Sequence, residues 1–158
     1  DIGQLRWSTD YVFAIFGIDA EGNLATEVII KEFTTLTPAQ SSNEFTITIN
    51  ALTKSSVNFT VTPANNDQYY VTVEKVGTVS GYGPDQDKSY DDLIDYLLPE
   101  YENQLTQRLF SGEQTINNSD LGKSVNGFSD YVVVVWGFNN GPTTTVFMSE
   151  AFRPADPE

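Results

Sequence analysis

The chain has 158 residues, with 22 Asp plus Glu against 8 Lys plus Arg and a formal net charge of −14. That field repels nucleic-acid phosphates and anionic lipid, so both are set aside as partners. Cys and His are both absent, which removes disulfides, the usual zinc and copper ligands, and every catalytic arrangement built on a thiolate or an imidazole.

Apolar residues make up 39% and aromatics 13%, enough for one packed domain, or one domain plus a piece. No apolar run reaches the ~18 residues of a membrane span, so direct membrane insertion is not expected. Asp1 reads as a cut end, so the lack of a leader does not argue against export.

The first predicted element is a hairpin within 1–36. Residues 9–18 form one strand, Asp19-Ala20-Glu21-Gly22-Asn23 supplies turn chemistry, and 24–34 returns. Pro38 and Ser41-Ser42-Asn43 mark a linker at 37–43. A complete unit then runs over 44–153. Phe45, Ile47 and Ile49 alternate with Thr46 and Thr48, and Val57, Phe59 and Val61 with Asn58, Thr60 and Thr62, so each is a strand with one buried face. A third strand covers 69–76 and a short fourth 114–117.

Between them lies a helical insertion at about 89–110. Ser89 caps it, Asp91 and Asp92 sit in its first turn, and apolar residues follow at helical spacing. Pro99 is costly in a helix interior, which predicts two short helices at about 90–98 and 99–110; one kinked helix is the alternative. A fifth strand at 129–138 is apolar on both faces, Asn139-Asn140-Gly141-Pro142 makes a turn, and 143–152 returns as a sixth. Residues 154–158 form a tail.

The opening and closing segments share a phrase. Asp10-Tyr11-Val12 aligns with Asp130-Tyr131-Val132, Gly17 with Gly137, and Phe33 with Phe152 after a one-residue deletion in the turn. The spacing near 120 reads as an internal repeat, so 1–36 would be the closing hairpin of a preceding, truncated copy.

"Leu5-x-Trp7-x-Thr9-x-Tyr11" followed by Gly17 resembles the fibronectin type III pattern, with Tyr11 in the place of the corner tyrosine. More narrowly, "DYVFAIFGIDAEGN" at 10–23 is similar to repeats of Bacteroidetes surface lipoproteins. The resemblance implies an immunoglobulin- or fibronectin-like antiparallel β-sandwich with a helical insertion, in an exported, lipid-anchored, cell-surface protein. It carries no catalytic residues, no cofactor and no metal. The implied role is a spacer, adhesin or contact unit whose partner is a glycan or a surface protein. The alternatives are a carbohydrate-binding module of a polysaccharide-uptake system and, behind it, a glycoside-processing enzyme with paired carboxylates.

Three residues stand out as contact candidates. Tyr82 is flanked by glycines at a loop tip, where an aromatic ring stacks on a sugar or a peptide, or else folds back on the sheet. Trp7 stands where the fibronectin pattern usually has Pro and is expected to cover the bottom of a sandwich. Trp136 faces away from the core if Tyr131 faces into it, and so lies in an apolar stripe with Val132 and Val134. The insertion is the expected cover for that stripe, through Leu93, Leu97, Tyr101 and Leu105. The same reasoning leaves Val12, Ala14 and Phe16 of the first copy bare, and because an isolated hairpin is marginal in water, residues 1–36 are expected to pack on the full unit or on another chain. The Asp19–Asn23 turn and the acidic run from Asp85 to Asp95 have the oxygens of a calcium site, but turn geometry and helix-start acids explain both without a metal.

Overall fold

The computed structural model describes residues 5–155. Asp1 and residues 156–158 of the expected tail lie outside the described residues. Two units divide the chain, Asp1–Ala39 and Gln40–Glu158. The described secondary structure is mainly antiparallel β, nine strands in three sheets.

The first unit is a hairpin. β1 (Asp10–Ile15) pairs with β2 (Ile29–Thr34), bringing Tyr11 opposite Phe33. Their rings stack with centroids 5.8 Å apart. The Tyr11 hydroxyl accepts the Arg6 N–H at 2.8 Å, the bond expected of a corner tyrosine.

The second unit has two sheets. One is β3 (Phe45–Leu52), β4 (Val57–Pro63) and β7 (Gln114–Asn117), with β4 central. The other orders β6 (Leu109–Phe110), β5 (Tyr69–Lys75), β8 (Tyr131–Gly137) and β9 (Phe147–Met148). Alternating side chains from both sheets share one core: Val57, Phe59 and Val61 from β4 meet Tyr69, Val71 and Val73 from β5 and Tyr131, Val133 and Val135 from β8. Burial of the polar ends is compensated. The Tyr69 hydroxyl donates to the Gly112 carbonyl at 2.7 Å, and Asn118 accepts the Val57 N–H and donates to the Lys123 carbonyl.

The other face of the second sheet is also closed. Val132, Val134, Trp136, Tyr70 and Thr72 are buried. The register sets Tyr70 opposite Trp136, and the two rings stack at 4.3 Å. Tyr70 then donates its hydroxyl to the Leu97 carbonyl at the end of α2 (Tyr90–Leu97) and accepts from Arg108 at 3.0 Å. Leu93, Ile94 and Leu97 of α2 are buried. The insertion therefore lies over this face as a further layer.

Its start follows the sequence. Ser89 and Asp92 exchange side-chain and backbone bonds in a capping box. Two helices form, but the second, α3 (Glu102–Thr106), is shorter than expected. After Pro99, Tyr101 takes extended backbone ahead of α3 and is exposed, so it leaves the stripe assigned to it. Leu109 and Phe110, expected in the helix, instead pair with Tyr70 and Tyr69 as β6.

The returning strand at 143–152 is reduced to β9 plus a single bridge from Phe152 to Tyr131. Side-chain hydroxyls take over the ladder. Thr144 Oγ1 accepts the Gly137 N–H at 2.8 Å, and Ser149 Oγ accepts the Val133 N–H at 3.0 Å. One helical turn, α1 (Val76–Val79), and a 3₁₀ turn at Asn118–Leu121 complete the unit.

Candidate functional site

β5 ends at Lys75, and the chain turns through α1 into the Gly81–Lys88 loop. Tyr82 and Lys88 make an isolated bridge there, so the tyrosine is tied into the loop rather than standing at a free tip. It is half-buried. Its ring stacks against Tyr96 of α2 with centroids 6.4 Å apart and planes 24° apart, while Lys88 Nζ lies 5.1 Å from the ring centre. Tyr96 is 65% exposed.

These rings border a surface depression of about 580 Å³ lined by Gly77, Thr78, Gly81, Tyr82, Asp87, Lys88 and Tyr96. A second, of about 420 Å³, lies on the other side of the same turn and shares Gly77 and Thr78. Phe128, 94% exposed, forms part of its wall. Asp130 and Arg153 form another part, joined by two hydrogen bonds of 2.7 and 2.8 Å. The guanidinium holds the Asp130 carboxyl below its ordinary range. Apolar rings thus flank a turn edged by donors and acceptors, which suits binding of a polar ligand with flat apolar faces.

The other two contact candidates lie elsewhere. Trp136 is fully buried against Tyr70 and offers no surface to a partner; its indole Nε1 has no hydrogen-bond partner among the described residues. Its burial follows from an apolar outer stripe meeting an apolar helix face, which stabilises both. Trp7 precedes β1, is half-buried, and carries the Arg6 guanidinium 5.4 Å from its ring centre. Tyr96 and Phe128 escaped notice in the sequence. The available signal was phase: Tyr96 falls off the Leu93–Ile94–Leu97 stripe of α2, and Phe128 is a large apolar residue inside an Asn-Gly-Phe-Ser loop.

In the Asp19–Asn23 turn the carboxylate is occupied by backbone. Asp19 Oδ1 accepts the N–H groups of Glu21 and Asn23, and Gly22 takes φ +86°. Those bonds, the Asn23 N–H first, lower the Asp19 pKa. Among the described residues no three Asp or Glu side chains gather as a metal site.

The two hairpins correspond in detail. Tyr131 Oη accepts the Asn126 N–H at 3.3 Å as Tyr11 Oη accepts that of Arg6, and Tyr131 stacks on Phe152 as Tyr11 does on Phe33. Gly17 donates to Thr26 Oγ1 and Gly137 to Thr144 Oγ1. The offsets correct the single turn deletion read from the sequence. Thr26 lies nine residues after Gly17 but Thr144 only seven after Gly137, so the second turn is two residues shorter. One residue returns as a bulge: Tyr131 faces Phe152 while Val134 faces Met148, three residues on one strand against four on the other.

No family model, curated protein or solved structure matches the chain.

Proposed function

We propose that the chain is a non-catalytic module of a bacterial surface protein, built from the closing hairpin of one β-sandwich unit and a whole second unit. The single observation that supports it most is the shared bonding of the two hairpins: corner tyrosine to upstream N–H, Tyr–Phe stack, and glycine N–H to threonine hydroxyl. β-propensity alone does not require all three in both places. A chain that uses one closing device twice has the organisation of a tandem array, whose units contact mainly their neighbours. The fibronectin- or immunoglobulin-like identity, the lipid anchor and the extracytoplasmic location belong to this reading through the resemblance of 10–23. The role is that of a spacer or adhesin bearing a contact surface.

The carbohydrate-binding alternative is favoured by one observation, the Tyr82–Tyr96 pair beside a polar-rimmed depression.

An antibody raised against the chain tests the location. Labelling of intact cells of the encoding bacterium, removed by external protease, is the expected result. Labelling that appears only after lysis overturns the proposal.

A further inference from the structure

We propose that the second unit binds a neutral oligosaccharide of pyranose sugars across the Gly77–Thr78 turn, between Tyr96 on one side and Phe128 on the other. This rests on reading the chain as a surface contact module.

The first argument is shape. The two depressions share Gly77 and Thr78 as a common wall, so a ligand longer than one sugar engages both. Added Cβ atoms at Gly77 and Gly81 would meet nothing within 4 Å. The turn is therefore open beside both glycines.

The second argument is chemistry. A pyranose ring offers a C–H face that packs on an aromatic ring and a girdle of hydroxyls that each donate and accept. Tyr96 and Phe128 supply exposed rings on the two sides. Asp87 and Lys88 place an acceptor and a donor side by side on one rim, and Asp130 and Arg153 do so on the other.

The third argument is charge. Arg153 is already engaged by Asp130 and Lys88 lies over Tyr82. The chain carries a net charge of −14. A polyanionic glycan would be repelled. A peptide would need apolar pockets for its side chains, and apart from three rings these walls are largely glycine, threonine and charged groups.

The test prints neutral gluco-, manno-, xylo- and chito-oligosaccharides beside anionic glycans and a peptide array, and probes them with the chain. The strongest neutral ligand is then titrated by calorimetry. Tyr96→Ala and Phe128→Ala remove exposed rings and should keep the parent's circular dichroism and melting. Each is expected to weaken binding about fivefold to tenfold, the scale of one aromatic contact. No neutral glycan bound at millimolar concentration overturns the proposal. So does binding confined to peptides or anionic glycans, or a neutral glycan whose affinity neither alanine changes. Surface labelling of cells is independent of all these outcomes, so the module reading can stand while this site fails.

Discussion

Asp-Tyr-Val opens β1 and also spans the entry to β8, and the two strands make the same bonds at both ends, yet their surroundings differ. Every residue of β8 is buried. In the first hairpin the equivalents of Val132 and Trp136 are Val12 of β1 and Phe16 just after it, 63% and 52% exposed. The difference lies in what pairs with the second edge. β8 has β5 along its full length and, beyond Tyr70, the helical insertion; β1 has β2 alone in its sheet. Local sequence therefore sets the hairpin's shape, while burial depends on elements far away in the chain. An isolated hairpin is marginal in water, and the bond pattern shows which contacts a covered copy adds.

The largest effect that would break this comparison is a ring deletion. Trp136→Ala should cost about 3–5 kcal/mol in a urea melt, whereas Phe16→Ala should stay within about 0.5 kcal/mol. Equal costs would mean that the two strands have equivalent environments.

A pH titration sharpens the role of β5. Burial, and then the charge of Glu113, pushes the Tyr69 hydroxyl up to about 12. The folded state holds this proton more tightly than the unfolded chain, whose tyrosine titrates near 10. Stability from this group is complete below pH ~10 and is lost as pH rises toward about 12, by roughly 2 kcal/mol or more in total. Melting of the second unit should fall across that window, and Tyr69→Phe should flatten the fall. An unchanged pH profile in that variant contradicts the assignment.

Glycine substitutions come next. A Cβ at Gly137 would lie 2.4 Å from Thr143 Oγ1 and 2.8 Å from Thr144 Cγ2, and one at Gly17 would lie 2.9 Å from Thr26 Cγ2. Gly137→Ala should cost about 1–3 kcal/mol. Gly17→Ala should cost less, because the approach is longer and the threonine facing it is exposed. A small effect is expected of Tyr131→Phe, which leaves the Asn126 N–H without its acceptor at about 1 kcal/mol. Thermal melts in parallel with Tyr11→Phe measure whether burial changes the worth of that bond.

Much of this was legible in the sequence. The alternation at Phe45–Ile49 and Val57–Val61, the capping by Ser89 and the break near Pro99 are local signals, and local chemistry decided them. An apolar outer face on 131–136 correctly called for a cover. What was not legible depends on partners distant in sequence. Leu109 and Phe110 carry a helical phase but are captured by Tyr70 and Tyr69 as a strand. The strand from Thr143 loses its ladder to the hydroxyls of Thr144 and Ser149, which compete for the same N–H groups. Tyr82 could be picked out as an aromatic among glycines, but its neighbour Tyr96 is brought to it only by the packing of α2.

The central claim is that the two hairpins are copies of one closing element, and a transplant tests it most directly. A chimera joins residues 40–124 to 5–36 in place of 125–155. Phe13 and Ala14 then replace Val133 and Val134, a larger and a smaller side chain at neighbouring positions. The account predicts a single cooperative urea transition, with the amides of the transplanted Tyr11–Ile15 strand protected from hydrogen exchange as those of β8 are in the parent. A chimera with no cooperative transition, or one whose transplanted strand exchanges freely, would contradict it.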